Sequence, residues 1–133
     1  MSNNAPRILV AEDNRVLADV LRFNLQRAGF AVTVALNGSI AVTHLQQETF
    51  DLVITDFQMP GVNGEQLCQV IRKELQLDQL PILMCSAKGL ELDIELLKSE
   101  FGVSQVISKP FSMREIVAIA QSLTALKPSS LGV

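Results

Sequence analysis

Four short apolar runs of this chain each lead into residues able to do chemistry. Ile8-Leu9-Val10-Ala11 ends at Glu12-Asp13, Leu52-Val53-Ile54-Thr55 at Asp56, Ile82-Leu83-Met84-Cys85 at Ser86, and Val106-Ile107-Ser108 at Lys109. If the runs are parallel strands of one sheet, three carboxylates, a hydroxyl and an ammonium gather at one edge, where open α/β sheets place their sites. Three acids side by side repel one another unless a cation sits among them, and a lysine beside a hydroxyl suits an anion with several oxygens. The set reads as a metal-assisted phosphate site.

Such a gathering needs parallel strands, and the rest of the chain is patterned to supply them. Apolar runs of strand length alternate with helical periodicity five times. This is the signature of a parallel sheet covered on both faces, a doubly wound (βα)5 three-layer sandwich of the α/β class. The expected strands are Arg7 to Ala11, Ala31 to Ala35, Asp51 to Thr55, Ile82 to Cys85 and Val103 to Ser108. The first helix, from about Asn14 to Ala28, turns Leu17, Val20, Leu21 and Leu25 inward and is capped by Gly29. Gly38 to Gln47 form a second, buried through Ile40, Ala41 and Leu45.

A loop with proline and glycines, Phe57 to Gly64, precedes a third helix carrying Leu67, Val70, Ile71 and Leu75. Pro81 opens the fourth strand and Gly89 ends the loop after it. Leu90, Ile94, Leu97 and Phe101 make the stripe of a fourth helix that Gly102 terminates. Ser112 and Glu115 form a capping box ahead of a fifth, which packs Ile116, Val117, Ala120 and Leu123.

A chain of 133 residues, 48% hydrophobic, fits one domain and can bury a core without disulfide or metal staples. Its formal net charge of −3 argues against direct nucleic-acid binding, which needs clustered Lys and Arg. No apolar stretch approaches the roughly 18 residues of a membrane span, and Met1 to Arg7 is too polar for a signal peptide, so a cytoplasmic location is expected. Cys68 and Cys85 match neither a zinc ribbon nor a redox dithiol and read as small core residues. His44 has no second ligand near it in sequence, which excludes metalloprotease or triad chemistry.

The ordered set Glu12-Asp13, Asp56-x-x-Met59-Pro60-Gly61-x-x-Gly64, Ser86-Ala87 and Lys109-Pro110-Phe111 resembles the receiver domain of two-component response regulators. The resemblance runs from about Pro6 to Leu126 and leaves Lys127 to Val133 as a tail or the stub of a linker. It implies a flavodoxin-like five-stranded sheet of order 2-1-3-4-5. It also implies that Asp56 accepts a phosphoryl group from a sensor histidine kinase or a histidine phosphotransfer protein. A carboxylate is already ionised at neutral pH, so it can attack phosphorus in line without a general base. Asp13 and Asp56 would hold Mg²⁺ with the main-chain carbonyl of Gln58, Glu12 acting through a water.

By the same resemblance Lys109 bridges first to Asp56 and then to a phosphoryl oxygen, turned into the site by a cis Lys109-Pro110 peptide. Ser86 donates to the phosphoryl group and draws Ala87-Lys88-Gly89 inward, which alters binding of a downstream protein target. Gln58 and Lys88 flank the phosphoryl position and adjust how fast water removes it. The domain would thus catalyse its own phosphorylation and dephosphorylation as a signalling module.

One position departs from the pattern: many receivers carry Tyr or Phe three residues before the lysine, and here stands Val106. Valine has no rotamer large enough to gate a surface, which leaves the Ser86 loop and the fourth helix, or simple phosphate relay, as the output. Two other classes compete. A phosphate-independent receiver-fold module would normally lack one of the site residues, and a flavin or nucleotide binder needs a glycine- or hydroxyl-rich loop after the first strand, where this chain is acidic. The chain also fits the N-terminal part of a longer regulator with its effector domain missing.

Overall fold

The computed structural model describes residues 4–87 and 93–124. Five parallel strands, β1 (Arg7–Ala11), β2 (Ala31–Ala35), β3 (Leu52–Asp56), β4 (Ile82–Ser86) and β5 (Gln105–Ser108), form one sheet in the order β2-β1-β3-β4-β5. The helices are α1 (Arg15–Arg27), α2 (Gly38–Gln47), α3 (Gly64–Gln69), α4 (Ile94–Phe101) and α5 (Met113–Thr124). Both the doubly wound class and the 2-1-3-4-5 order match the expectation.

Strand alternation divides the core into two layers. Leu9 and Ala11 of β1, Val53 of β3 and Ile82 and Met84 of β4 join Ala41, Leu45, Leu67, Cys68, Ile71, Leu97 and Phe101 beneath α2, α3 and α4. Ile8, Val10, Leu52, Ile54, Leu83 and Cys85 face the other way, against Leu21, Leu25, Ile116 and Ala120 of α1 and α5. Being covered on both sides is why β1, β3 and β4 read as unbroken apolar runs. Each fully buried Leu or Ile contributes about 1.5–3 kcal/mol relative to exposure.

Several local details differ from the sequence reading. Val20 stays 40% exposed, because α1 buries Ala18, Leu21 and Leu25 and a step of ~100° per residue turns Val20 off that line. Ile40, beside the buried Ala41, and Ile94, in the first turn of α4, are likewise exposed. Gly89, Leu90 and the tail from Lys127 to Val133 lie outside the described residues. The cap of α1 is Ala28, and Gly29 follows at φ 103, its N–H donating to Gln26 while that of Phe30 donates to Leu25. That double bond is the Schellman arrangement, which glycine enters without a Cβ penalty.

Strand β3 starts at Leu52 and includes Asp56, and β5 starts at Gln105 because the Val103 N–H is spent on closing α4 through Leu97. The serine half of the expected box at α5 forms, Ser112 Oγ accepting from the Glu115 N–H at 3.0 Å. A complete box stands at α3, where Asn63 and Gln66 each accept from the other's backbone N–H. Beyond Gln69 the third helix widens into a π-helical turn, Val70–Glu74, rather than continuing regularly to Leu75.

Candidate functional site

The C-terminal ends of β1, β3, β4 and β5 deliver Glu12, Asp13, Asp56, Ser86 and Lys109 to one edge. Glu12 extends the ladder one residue past β1, its N–H donating to the Ala35 carbonyl at 3.0 Å. The glutamate is only 3% exposed. Its Oε2 accepts from the Asn14 N–H at 2.9 Å and its Oε1 faces Lys109 Nζ at 3.4 Å. Asn14 in turn caps α1 with its side chain, so one short turn holds both the helix and the acid.

Asp56, opposite Cys85 in the β3–β4 ladder, is 7% exposed. The Lys109 ammonium sits 2.9 Å from its Oδ1. The Lys109 N–H donates to the Ser86 carbonyl at 2.8 Å, and the Lys109-Pro110 peptide is cis. Ser86 closes β4, buried, level with Ser108 on β5. Asp13 is exposed on the rim. Asp13, Gln58, Met59, Pro60 and Asn63 border an open cleft of about 470 Å³ beside these acids.

Glu12, Asp13 and Asp56 bring carboxylate oxygens within 4.8 Å of one another. Among the described residues, three acids stand against the Lys109 ammonium, which leaves them with surplus negative charge. Burial pushes the Asp56 pKa up; Lys109 opposes this and the charge of Asp13 adds to it. Glu12 is raised in the same way, first by burial and then by Asp56, against the pull of the Asn14 N–H and Lys109. Burial alone would lower Lys109, yet its hydrogen bond to Asp56 and the charge of Glu12 outweigh that and carry it upward. A hard divalent cation answers this imbalance: the donors are all oxygen, two of the acids are desolvated, and the rim opens to water that could complete a magnesium shell.

Sequence reasoning missed the direct contact between Glu12 and Lys109, having given Glu12 a role through water only. The acid two residues ahead of a capping asparagine was the available signal for its fixed orientation. Val106 is partly buried and packs against the layer under α2, α3 and α4. Lys88 and Gly89 of the loop after Ser86 lie outside the described residues.

This chain belongs to the response regulator receiver domain family, whose model matches residues 8–121. Among solved structures it is similar to the receiver domain of a Pseudomonas aeruginosa sensor histidine kinase, which has a magnesium ion coordinated in its active site cleft. That match is 28% identical, covers 91% of this chain and 98% of the other, and has a TM-score of 0.80. The receiver domain of Francisella response regulator 1452 is 26% identical over 90% of this chain and 96% of its own, with a TM-score of 0.79. The Vibrio cholerae chemotaxis protein CheY4, at 24% identity, 90% and 98% coverage and a TM-score of 0.81, shares the fold.

Proposed function

We propose that this receiver domain accepts a phosphoryl group on Asp56 from the histidine of a sensor kinase or phosphotransfer protein. The observation that carries the reading is Lys109 held between Asp56 and Glu12 inside a three-carboxylate cluster. A carboxylate oxygen of Asp56 forms a bond to phosphorus as the bond to the donor imidazole nitrogen breaks, and that nitrogen keeps the electron pair. Lys109 meets the charge that develops on the transferring group, already oriented before reaction. Ser86, at the end of the adjacent strand, donates its hydroxyl to the phosphoryl oxygens once they are in place.

Asp13, Asp56 and the Gln58 carbonyl would hold Mg²⁺, with Glu12 supporting them. When bound, the ion neutralises charge shared between the acids and the phosphoryl oxygens. The output passes through the loop after Ser86 and through α4 to a downstream protein target, because Val106 is too small to act as a rotating gate. The domain works in the cytoplasm and makes no direct contact with nucleic acid or membrane.

Intact-mass measurement after incubation with a small-molecule phosphodonor and Mg²⁺ tests the reading. One phosphoryl adduct is expected on the wild type, absent from Asp56→Asn and from a metal-free sample. An adduct that survives Asp56→Asn would place the acceptor elsewhere.

A further inference from the structure

Two glycines let backbones approach more closely than any other residue would. A Cβ built on Gly38, the first residue of α2, would lie 2.6 Å from the Cβ of Val62 and closer still to the Val62 carbonyl oxygen. One built on Gly64, the first residue of α3, would lie 2.6 Å from the Asp56 carbonyl oxygen and 2.9 Å from the Phe57 Cα. Neither glycine has a positive φ, so conformational freedom does not explain them. Space does. Both press on one segment, residues 56–62, which begins with Asp56 and carries Gln58 on the border of the cleft.

The segment is fixed at further points. The Gly64 N–H donates to the Phe57 carbonyl at 2.9 Å, and the Phe57 N–H donates to the Cys85 carbonyl at 2.7 Å. Met59 is buried in the layer under α2, α3 and α4, and Val62 packs on its margin. Gln58, between these anchors, is therefore set in height by how closely α2 and α3 approach the loop. A shift of a few tenths of an ångström in Val62 or Phe57 is passed along a short, tethered segment to the Gln58 carbonyl.

We infer that Gly38 and Gly64 are positioning residues for the metal-binding loop. Gly38 sets it from the α2 side through Val62, and Gly64 sets it from the α3 side through Asp56 and Phe57. The inference rests on the reading of Asp13, Asp56 and the Gln58 carbonyl as the Mg²⁺ site. Gly38 adds to that site a residue from an element that supplies none of its ligands.

The test is calorimetric titration of the protein with MgCl2, without phosphodonor, on wild type, Gly38→Ala, Gly64→Ala and Gly29→Ala. Each is held well below its own melting midpoint. Gly29 is the control: at φ 103 it resents a side chain on backbone grounds, yet a Cβ there meets nothing within 4 Å. It thus reports what destabilisation alone does to the titration. The expected result is a loss of about tenfold or more in Mg²⁺ affinity for Gly38→Ala and Gly64→Ala, as for outer-shell supports of metal sites, with Gly29→Ala matching the wild type.

Should Gly38→Ala not fold, Val62→Ala slackens the same contact instead of crowding it, and a smaller loss in the same direction is expected. Folded Gly38→Ala and Gly64→Ala proteins that bind Mg²⁺ like the wild type would overturn the positioning role alone. An equal loss in Gly29→Ala would overturn it too, by tracing the effect to general instability. A wild type that takes up no Mg²⁺ would overturn the metal-site reading itself, and the role of the glycines with it.

Discussion

The two edges of the sheet handle charge in opposite ways. At the C-terminal edge, Glu12 and Asp56 share Lys109 with Asp13 beside them, and burial raises both interior acids. At the N-terminal edge the charges close on one another. Arg7 pairs with Glu48, lies 5.4 Å from the Phe50 ring centroid and donates its backbone N–H to Asp51. His44 Nδ1 meets the same Glu48 at 3.2 Å.

Arg72, from the π-helical turn, donates to the carbonyls of Leu77, Phe101 and Gly102 at 2.5, 2.7 and 3.0 Å, tying the third helix to the end of α4. Lys73 pairs with Glu100 beside it at 3.6 Å. Interactions satisfied within the fold hold the structure together, and an unbalanced cluster leaves affinity for something from outside. The difference teaches where to look for chemistry in a sheet of this kind: at the edge where buried carboxylates are crowded together.

Four measurements sharpen or break that contrast. The largest effect is expected for Lys109→Ala, which removes the ammonium paired with Glu12 and Asp56. Phosphoryl uptake from a small-molecule donor should slow by roughly 100-fold at a temperature where both proteins are folded. A rate near that of the wild type would show that the imbalance is not catalytic.

Next is Arg72→Ala at the opposite edge. Chemical denaturation should show a loss of about 2 kcal/mol, from three carbonyls left without a charged donor, and Mg²⁺ affinity should stay unchanged. A change in metal affinity instead would mean that the two edges are coupled.

The third effect is a pH slope. Glu12 and Asp56 have folded pKa values above their ordinary 4.5 and 3.8, so the folded state takes up protons more readily than the unfolded one. Their contribution is therefore most favourable at low pH and is lost as pH rises through the raised values. Lys109 acts at the other end of the scale. Its pairing supports the fold below its ordinary 10.5 and is lost as pH climbs through its raised value. Denaturation across pH 4 to 7 without metal should show stability from the acids declining, and saturating Mg²⁺ should flatten that decline. An identical slope with and without Mg²⁺ would remove the cluster as its source. The smallest effect is a change in phosphoryl lifetime in Gln58→Ala, and an unchanged half-life would end that residue's role in removal by water.

Much of this contrast was legible in the sequence, and unevenly so. The strand ends that carry Glu12, Asp13, Asp56, Ser86 and Lys109 follow from apolar runs followed by polar residues, a local signal. Sheet order came from family resemblance, because no run encodes its neighbour. Helix stripes failed at Val20, Ile40 and Ile94, where an apolar residue beside the buried line carries the same letter code as one on it. The Arg72 clasp joins residues 29 and 30 positions apart in sequence, and nothing in the composition of Val70–Glu74 announces a π-helical turn. Gly38 looked like an ordinary helix start because its neighbour, Val62, is supplied by another segment.

The two thiols have a practical consequence. Cys68 lies in the layer beneath α2, α3 and α4, and Cys85 in the layer beneath α1 and α5. The sheet stands between them, so they are not placed to pair. Burial pushes both up to about 12, which keeps them neutral and unreactive while the fold is closed. Alkylation of the native protein thus becomes a pair of clocks, one on each side of the sheet. Mapped by peptide mass, their rates would time the opening of each layer separately, and show which one loosens or tightens when Asp56 is phosphorylated.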